Sequence, residues 1–511
     1  MTRAIWLAAG VVAALACLIA PIDGLSPQAK AVLALLVLMA IWWVSEAIPL
    51  AATALLPIVA LPLIGIAVGR DARGRLACAA DACGDPARLD GVRLLTLDDL
   101  GAHYANPIVL MYIGGFLLGI ALERCGLSQR IAYALVARGG ADPKRMVAAF
   151  LIAGAALSMW ISNTATALIL TPLALSVAAG ATVNGLGNAR FAAALALAVA
   201  YAATIGGLGT PIGTPTNGIA LQQLRNEGVD ISFGAWMAIG VPAILLLTPI
   251  AWLILTRGLQ LAPDAARAAQ ADVQARLRAL GPITPAERRV AVIFALTAAC
   301  WCGSTLLADL IGRHVLALSP PQRFSEGHLD TIIATLAALA LFITPAGGGS
   351  PRALLTWDDA VALPWGVLLL FGGGLALAAG AELSGLSAWL AGGLSGLSDA
   401  PPIVVIAAIC LLVIVITEFA SNIATISLMG PVLIAIASQN AALAPAAFVA
   451  PAAMAASMGF AMPVGSAANA IAYATGVVPQ RRMIASGLMM NLAALAVLTL
   501  IGVLLAPRVM S

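Results

Sequence analysis

Apolar residues come in long unbroken runs along this chain. The runs fall at roughly 4–22, 31–47, 50–68, 107–123, 146–160, 165–180, 190–206, 235–256, 289–311, 329–345, 363–380, 402–418, 424–438, 444–462 and 484–506. They are continuous rather than alternating, which predicts helices and argues against a transmembrane β-barrel. A bilayer-spanning helix needs roughly 20 residues, and several runs reach only about 15. Runs of that length predict re-entrant or broken helices among full spans.

Two polar segments interrupt the pattern. Residues 69–105 hold five arginines and six aspartates, so they carry no orientation signal. Residues 257–289 hold six arginines against three acids, which predicts a cytoplasmic connector lying along the membrane surface. The first run, near Met1-Thr-Arg3, is read as a retained span, residues 1–28, with the amino terminus in the cytoplasm.

Composition agrees with the pattern. The chain of 511 residues is 62% hydrophobic and 10% charged, where a soluble domain carries about 25% charge. That excludes a secreted enzyme, a nucleic-acid binder and a disordered scaffold. The net charge of +3 gives no case for a polyanionic partner. Cys17, Cys125, Cys300, Cys302 and Cys410 read as packing residues in apolar helices. Cys78 and Cys83 share a polar loop and would be free to pair if it is periplasmic. The three histidines, His103, His314 and His328, form no metal-ligand spacing.

The two halves resemble each other. Tyr112-Ile-Gly-Gly-Phe matches Leu370-Phe-Gly-Gly-Gly, and the Gly-Leu-Ser at Gly126 recurs at Gly385. Ser162-Asn163-Thr164-Ala165-Thr166 recurs as Ser421-Asn422-Ile423-Ala424-Thr425, offset by 259. Gly213-Thr214-Pro215-Thr216-Asn217 recurs as Gly465-Ser466-Ala467-Ala468-Asn469, offset by 252. The order and near-constant offset indicate an internal duplication. Repeat 1 would occupy 29–256 and repeat 2 would occupy 290–511. An odd number of crossings per half makes the repeats inverted. The arrangement expected is an all-α polytopic membrane protein with about eleven transmembrane helices and two re-entrant hairpins, at 142–186 and 385–440. Inverted repeats of this kind place a binding site near the midplane, between broken helices.

The candidate chemistry lies in the duplicated motifs. Ser162-Asn163-Thr164 interrupts an apolar run, a costly placement unless those side chains face something polar. A helix that ends and restarts there exposes amides that attract anions, and carbonyls and hydroxyls that coordinate a hard cation such as sodium. A plain capping box joining two packed helices is the alternative. The Gly- and Pro-rich stretch 206–218 cannot be a regular helix; its partner, 462–470, reads as less broken. Among the intramembrane acids, Glu123 beside Arg124 reads as a helix-end ion pair, and Glu418 as a brace for its hairpin. Trp42-Trp43 reads as an interface anchor.

Together with Thr417-Glu418-Phe419 and Trp43-Val44-Ser45-Glu46-Ala47-Ile48-Pro49, these motifs resemble the divalent anion:sodium symporter family, carriers of dicarboxylates, citrate and sulfate. The resemblance covers nearly the whole chain. It implies a homodimer in the bacterial inner membrane, each protomer pairing a scaffold with a transport domain that moves as an elevator. It implies no organic cofactor, sodium as coupling ion and a small anionic carboxylate as substrate. The first sodium site would map to Ser158, Ser162, Asn163 and Gly213, and the second to Thr417, Ala420, Asn422 and Gly465. Substrate contacts would map to Asn163, Thr164, Thr214 and Pro215, and to Asn422, Ile423, Ser466 and Ala467. The second half departs from the family pattern: Ile423 stands where threonine is expected, and Ser466-Ala467 where Thr-Pro is expected. Both changes fall on the substrate side. A sodium-independent anion exchanger and a channel are the remaining alternatives; an enzyme would need a nucleophile–base pair or metal triad that the motifs lack.

Overall fold

The structure, a computed structural model, describes residues 2–71, 76–78, 90–181, 189–226, 228–315, 325–348, 350–393, 400–439 and 445–509. Helices dominate. Among the described residues eight are long and apolar enough to cross a membrane. A ninth is counted if Pro285–Cys302 and Ser304–His314, bent by 73°, form one broken span. Shorter apolar helices include Arg3–Ile19, Leu50–Ile64, Pro402–Thr417 and Ala446–Ala455.

One series of elements occurs twice. A glycine-rich helix, Pro107–Arg124, is followed by Leu127–Ala137. Next come two helices joined tip to tip, Pro143–Ser158 and Asn163–Gly180, called here the first hairpin. A broken span follows, Ala189–Gly207 then Pro215–Asn226, and then the long helix Phe233–Thr256. The second series is Trp365–Leu383 and Leu386–Gly393, then the second hairpin, Pro402–Thr417 and Asn422–Gln439. Its broken span is Ala446–Ala455 then Ala467–Ala474, closed by Gln480–Leu504. The turn before each second helix is made by a glycine at positive φ, Gly126 at 82° and Gly385 at 83°. A side chain there would strain the same left-handed corner in both repeats.

Several expectations change. The chain is not purely helical. A three-stranded antiparallel sheet places Ala67–Arg70 between Leu76–Cys78 and Asp90–Leu94, and Pro345–Gly347 pairs with Ser350–Ala353. These strands occupy polar segments where helical periodicity is absent. Helix Leu386–Gly393 stands before the second hairpin, which begins at Pro402 rather than 385. The second broken span is the more interrupted one. Its helices are separated by 456–466, with only a 3-10 turn at Pro463–Gly465, against 208–214 in the first. Cys78 is disulfide-bonded; Cys83 lies outside the described residues.

The Glu123–Arg124 pair does not form. Arg124 pairs instead with the buried Asp359, which Arg352 also holds at 2.7 Å. Trp43 is fully buried, its indole N–H donating to Leu50 O at 3.1 Å, so it is a core residue rather than an interface anchor. The connector contains the helix Pro263–Ala279, which buries Ala265, Ala266, Ala269 and Val273. It is tied to the first hairpin by Ser176 Oγ donating to Asp272 at 2.8 Å. Asp264 in its first turn and Arg276 and Arg278 in its last suit the helix dipole.

Candidate functional site

The hairpin tips and the breaks in the two spans meet at one cavity of about 940 Å³. Ser162, Asn163, Thr164, Gly213, Thr214 and Pro215 line one part of it. Ala420, Ser421, Asn422, Ile423, Gly465, Ser466 and Ala467 line the other. Of the residues named from sequence, only Ser158 and Thr417 lie behind the wall; both are fully buried.

Each tip breaks for a local reason. Ser162 takes extended backbone and its hydroxyl accepts the amide of Ala165 at 3.2 Å, capping the new helix. Ser162 is therefore occupied as a cap. Ser466 caps its helix in the same way, accepting from the amide of Asn469 at 3.1 Å. The outcome is that four helices begin at the cavity wall, at Asn163, Pro215, Asn422 and Ala467. Their unsatisfied N–H groups and positive dipole ends favour an anion. The only charged side chains in the wall among the described residues are Glu46 and Glu123. Positive potential in the wall therefore comes from the backbone of these helix ends, not from lysine or arginine, among the described residues.

The opposite helix ends supply oxygens. Ser158 Oγ lies 2.8 Å from Asn163 Oδ1 and 2.6 Å from Ala203 O. Thr417 Oγ1 lies 2.7 Å from Asn422 Oδ1 and 2.5 Å from Ala456 O. A hydroxyl has one proton to give, so in each set one acceptor is left facing another oxygen. The shortage is most visible at Asn422. Turned over, its carboxamide nitrogen would donate to Ala456 O at 3.1 Å, Gly465 O at 3.0 Å and Thr417 Oγ1 at 2.7 Å; as placed, its oxygen faces all three. A hard cation among these oxygens satisfies them without turning the amide.

Close backbone approach shapes both sets. A Cβ on Gly207 would come within 2.7 Å of Asn163 Oδ1, and one on Gly213 within 2.6 Å of Gly207 O. Gly465 and Gly459 repeat that arrangement, at 2.7 Å from Gly459 O. Of the residues named from sequence, the structure brings Ser158, Asn163 and Gly213 together in one cluster, and Thr417, Asn422 and Gly465 in another. Ala420 lines the cavity, and no contact of its own to the second cluster is seen.

Other contributors were missed. The carbonyls of Ala203 and Ala456 carry no side-chain signature. Asn217 and Asn469, fully buried, staple the breaks. Asn217 Nδ2 donates to Gly207 O at 2.9 Å and Thr210 O at 2.8 Å; Asn469 Nδ2 donates to Gly459 O at 2.8 Å and Met462 O at 3.0 Å. Their recurrence at the ends of the duplicated motifs was the available signal. Tyr112 grips the first break, donating to Thr214 O at 2.8 Å and accepting from the amide of Gly218 at 3.1 Å. Glu418 does not brace its own hairpin. It accepts from the amides of Ala461 and Met462, each at 2.9 Å, and from Asn491 Nδ2 at 2.6 Å. It therefore holds the second break open.

The family model for the sodium:sulfate symporter transmembrane region matches residues 2–511. The chain belongs to this family. A sodium-dependent dicarboxylate transporter of Staphylococcus saprophyticus is 34% identical over 498 residues, covering 96% of this chain and 88% of the relative. Its Staphylococcus aureus counterpart is 35% identical over 492 residues, covering 94% and 86%. Divalent anion:sodium symporters are membrane transporters, and this chain is accordingly a transporter rather than an enzyme. Two more distant solved structures share the fold. The Alcanivorax borkumensis YdaH transporter has a TM-score of 0.58 at 18% identity, covering 91% of this chain and 97% of that one. Neisseria gonorrhoeae MtrF has a TM-score of 0.58 at 13% identity, covering 90% and 96%.

Proposed function

We propose that this protein is a sodium-coupled symporter of small organic dianions of the C4-dicarboxylate type. The observation that carries the reading is the double use of each helix break. Carbonyl and hydroxyl oxygens gather behind Asn163 and Asn422, while helix N-termini open in front of them. Sodium sites would form at Ser158, Asn163, Ala203 and Gly213, and at Thr417, Asn422, Ala456 and Gly465, with Ser162 and Ala420 alongside. The substrate would meet Asn163, Thr164, Thr214 and Pro215 at one end, and Asn422, Ile423, Ser466 and Ala467 at the other. Sodium-dependent dicarboxylate transport by the Staphylococcus relatives supports the pairing of cargo and ion.

Coupling follows from the asparagines. A cation held on the carboxamide oxygen fixes the amide, so its N–H₂ is presented to the carboxylate without further ordering cost. The cations would also offset the charge of a dianion in a wall that has no basic side chain among the described residues. Translocation would follow an elevator mechanism, the hairpins and broken spans moving against a scaffold built around Pro27–Ser45, Pro107–Arg124 and Trp365–Leu383. We read the protein as a homodimer of the bacterial inner membrane, with eleven spans, two re-entrant hairpins and a cytoplasmic amino terminus.

The test is uptake of labelled succinate into proteoliposomes. An inward sodium gradient should raise it well above the level in choline buffer. Equal uptake in choline would reject sodium coupling and favour anion exchange. Single-channel currents in a planar bilayer would reject the carrier altogether.

A further inference from the structure

The two ends of the cavity are not chemically equivalent. At the first, Thr164 and Thr214 line the wall, and neither hydroxyl is committed to a hydrogen bond among the described residues. At the second, the corresponding positions are Ile423 and Ser466. Ile423 has no donor, and it packs against both hydrophobic clusters, which holds it in place. Ser466 keeps a hydroxyl whose oxygen accepts the amide of Asn469 while its proton stays free to donate, so the second end lacks one hydroxyl donor of the first, the one that Ile423 replaces. Phe419 and Val464, 62% and 70% exposed, add apolar surface to the same wall.

We infer that the carrier reads one end of its substrate by charge and the other by shape, so that it accepts acids whose second carboxylate is neutralised. This rests on the reading of the cavity as a carboxylate site. A carboxylate entering the second end gives up water for Asn422, Ser421 and two helix N-termini, against an apolar side chain where a hydroxyl would have stood. Those helix ends still favour partial negative charge, which an ester carbonyl or a hydroxyl supplies. A site that hydrogen-bonds a group rejects analogues lacking it strongly, whereas an apolar wall rejects an isostere weakly. The first end falls under the former rule; the second, with an apolar side chain in place of one hydroxyl donor, lies nearer the latter. Glu46 and Glu123, the only charged side chains of the wall among the described residues, oppose added negative charge and favour the same outcome.

The experiment is calorimetric titration of the purified full chain in sodium with succinate and with its monomethyl ester. Loss of one charge-assisted hydrogen bond corresponds to roughly thirtyfold in affinity. The ester should bind within about that thirtyfold of succinate. Rejection by a larger factor overturns the inference while leaving the carboxylate site standing. Ile423→Thr should raise the preference for succinate over the ester about five- to tenfold by restoring a hydroxyl donor. An unchanged ratio overturns the role given to Ile423. The wild-type comparison stands by itself if that variant does not fold. Failure of succinate itself to bind in sodium would instead sink the carboxylate reading, and the inference with it.

Discussion

At Ser158 and Thr417 a hydroxyl reaches the carboxamide oxygen of the asparagine five residues on and a carbonyl of the neighbouring broken span. One residue beyond that asparagine the repeats part, with Thr164 in one and Ile423 in the other. The oxygens around the two asparagines match nearly atom for atom, and the cavity-lining side chains one residue on do not. Burial explains the difference. An oxygen cluster cut off from water must have its electron pairs satisfied, so few arrangements work. A side chain on a wet wall can change without leaving anything unpaired. The repeats differ once more behind the wall: Glu418 stands where the first repeat has Met159. In the first repeat the break is tied instead by the Thr210 hydroxyl donating to Met159 O. The second repeat thus puts a carboxyl side chain, accepting from two amides and Asn491, where the first has a backbone carbonyl.

The strongest way to break this comparison is to remove the asparagines. Asn163→Ala and Asn422→Ala each delete a group proposed to touch both cation and anion. Each should lower succinate uptake about a hundredfold or more, the sum of two charge-assisted contacts. Survival of one variant would show that only one repeat carries the site. Next, Ser158→Ala and Thr417→Ala should raise the half-saturating sodium concentration about tenfold, with little change in succinate affinity at saturating sodium. A shift in succinate affinity alone would mean that the oxygens serve the anion. The last prediction, read in stability before transport, sharpens the asymmetry. Glu418→Gln replaces an acceptor of three hydrogen bonds by a group with one acceptor oxygen, and should cost roughly 1–3 kcal/mol of stability. It should weaken sodium binding in an otherwise wild-type chain, whereas Met159→Leu should not.

The duplicated motifs were legible because each needs special backbone. Three polar side chains in an apolar run, and glycines and prolines in a would-be span, are visible in any single sequence. The helix breaks follow from that, whereas Ser158 and Thr417 were named only through the family resemblance. What stayed hidden was contributed by backbone or by distance. The carbonyls of Ala203 and Ala456 look like any alanine. Arg124 is adjacent to Glu123 in sequence, yet Asp359 reaches it from another element. Trp43 sits at the end of an apolar helix, where an interface anchor is the ordinary reading, but the Leu50 carbonyl takes its indole N–H inside the core. The short strands arise in polar loops whose pattern gave no period to read.

The central claim is that cation and carboxylate share the two asparagines. Titration of succinate into the purified protein in sodium chloride and in choline chloride tests it most directly. The account predicts binding in sodium, none measurable in choline, and loss of the sodium-dependent signal in Asn163→Ala. Equal affinity in the two salts would contradict it.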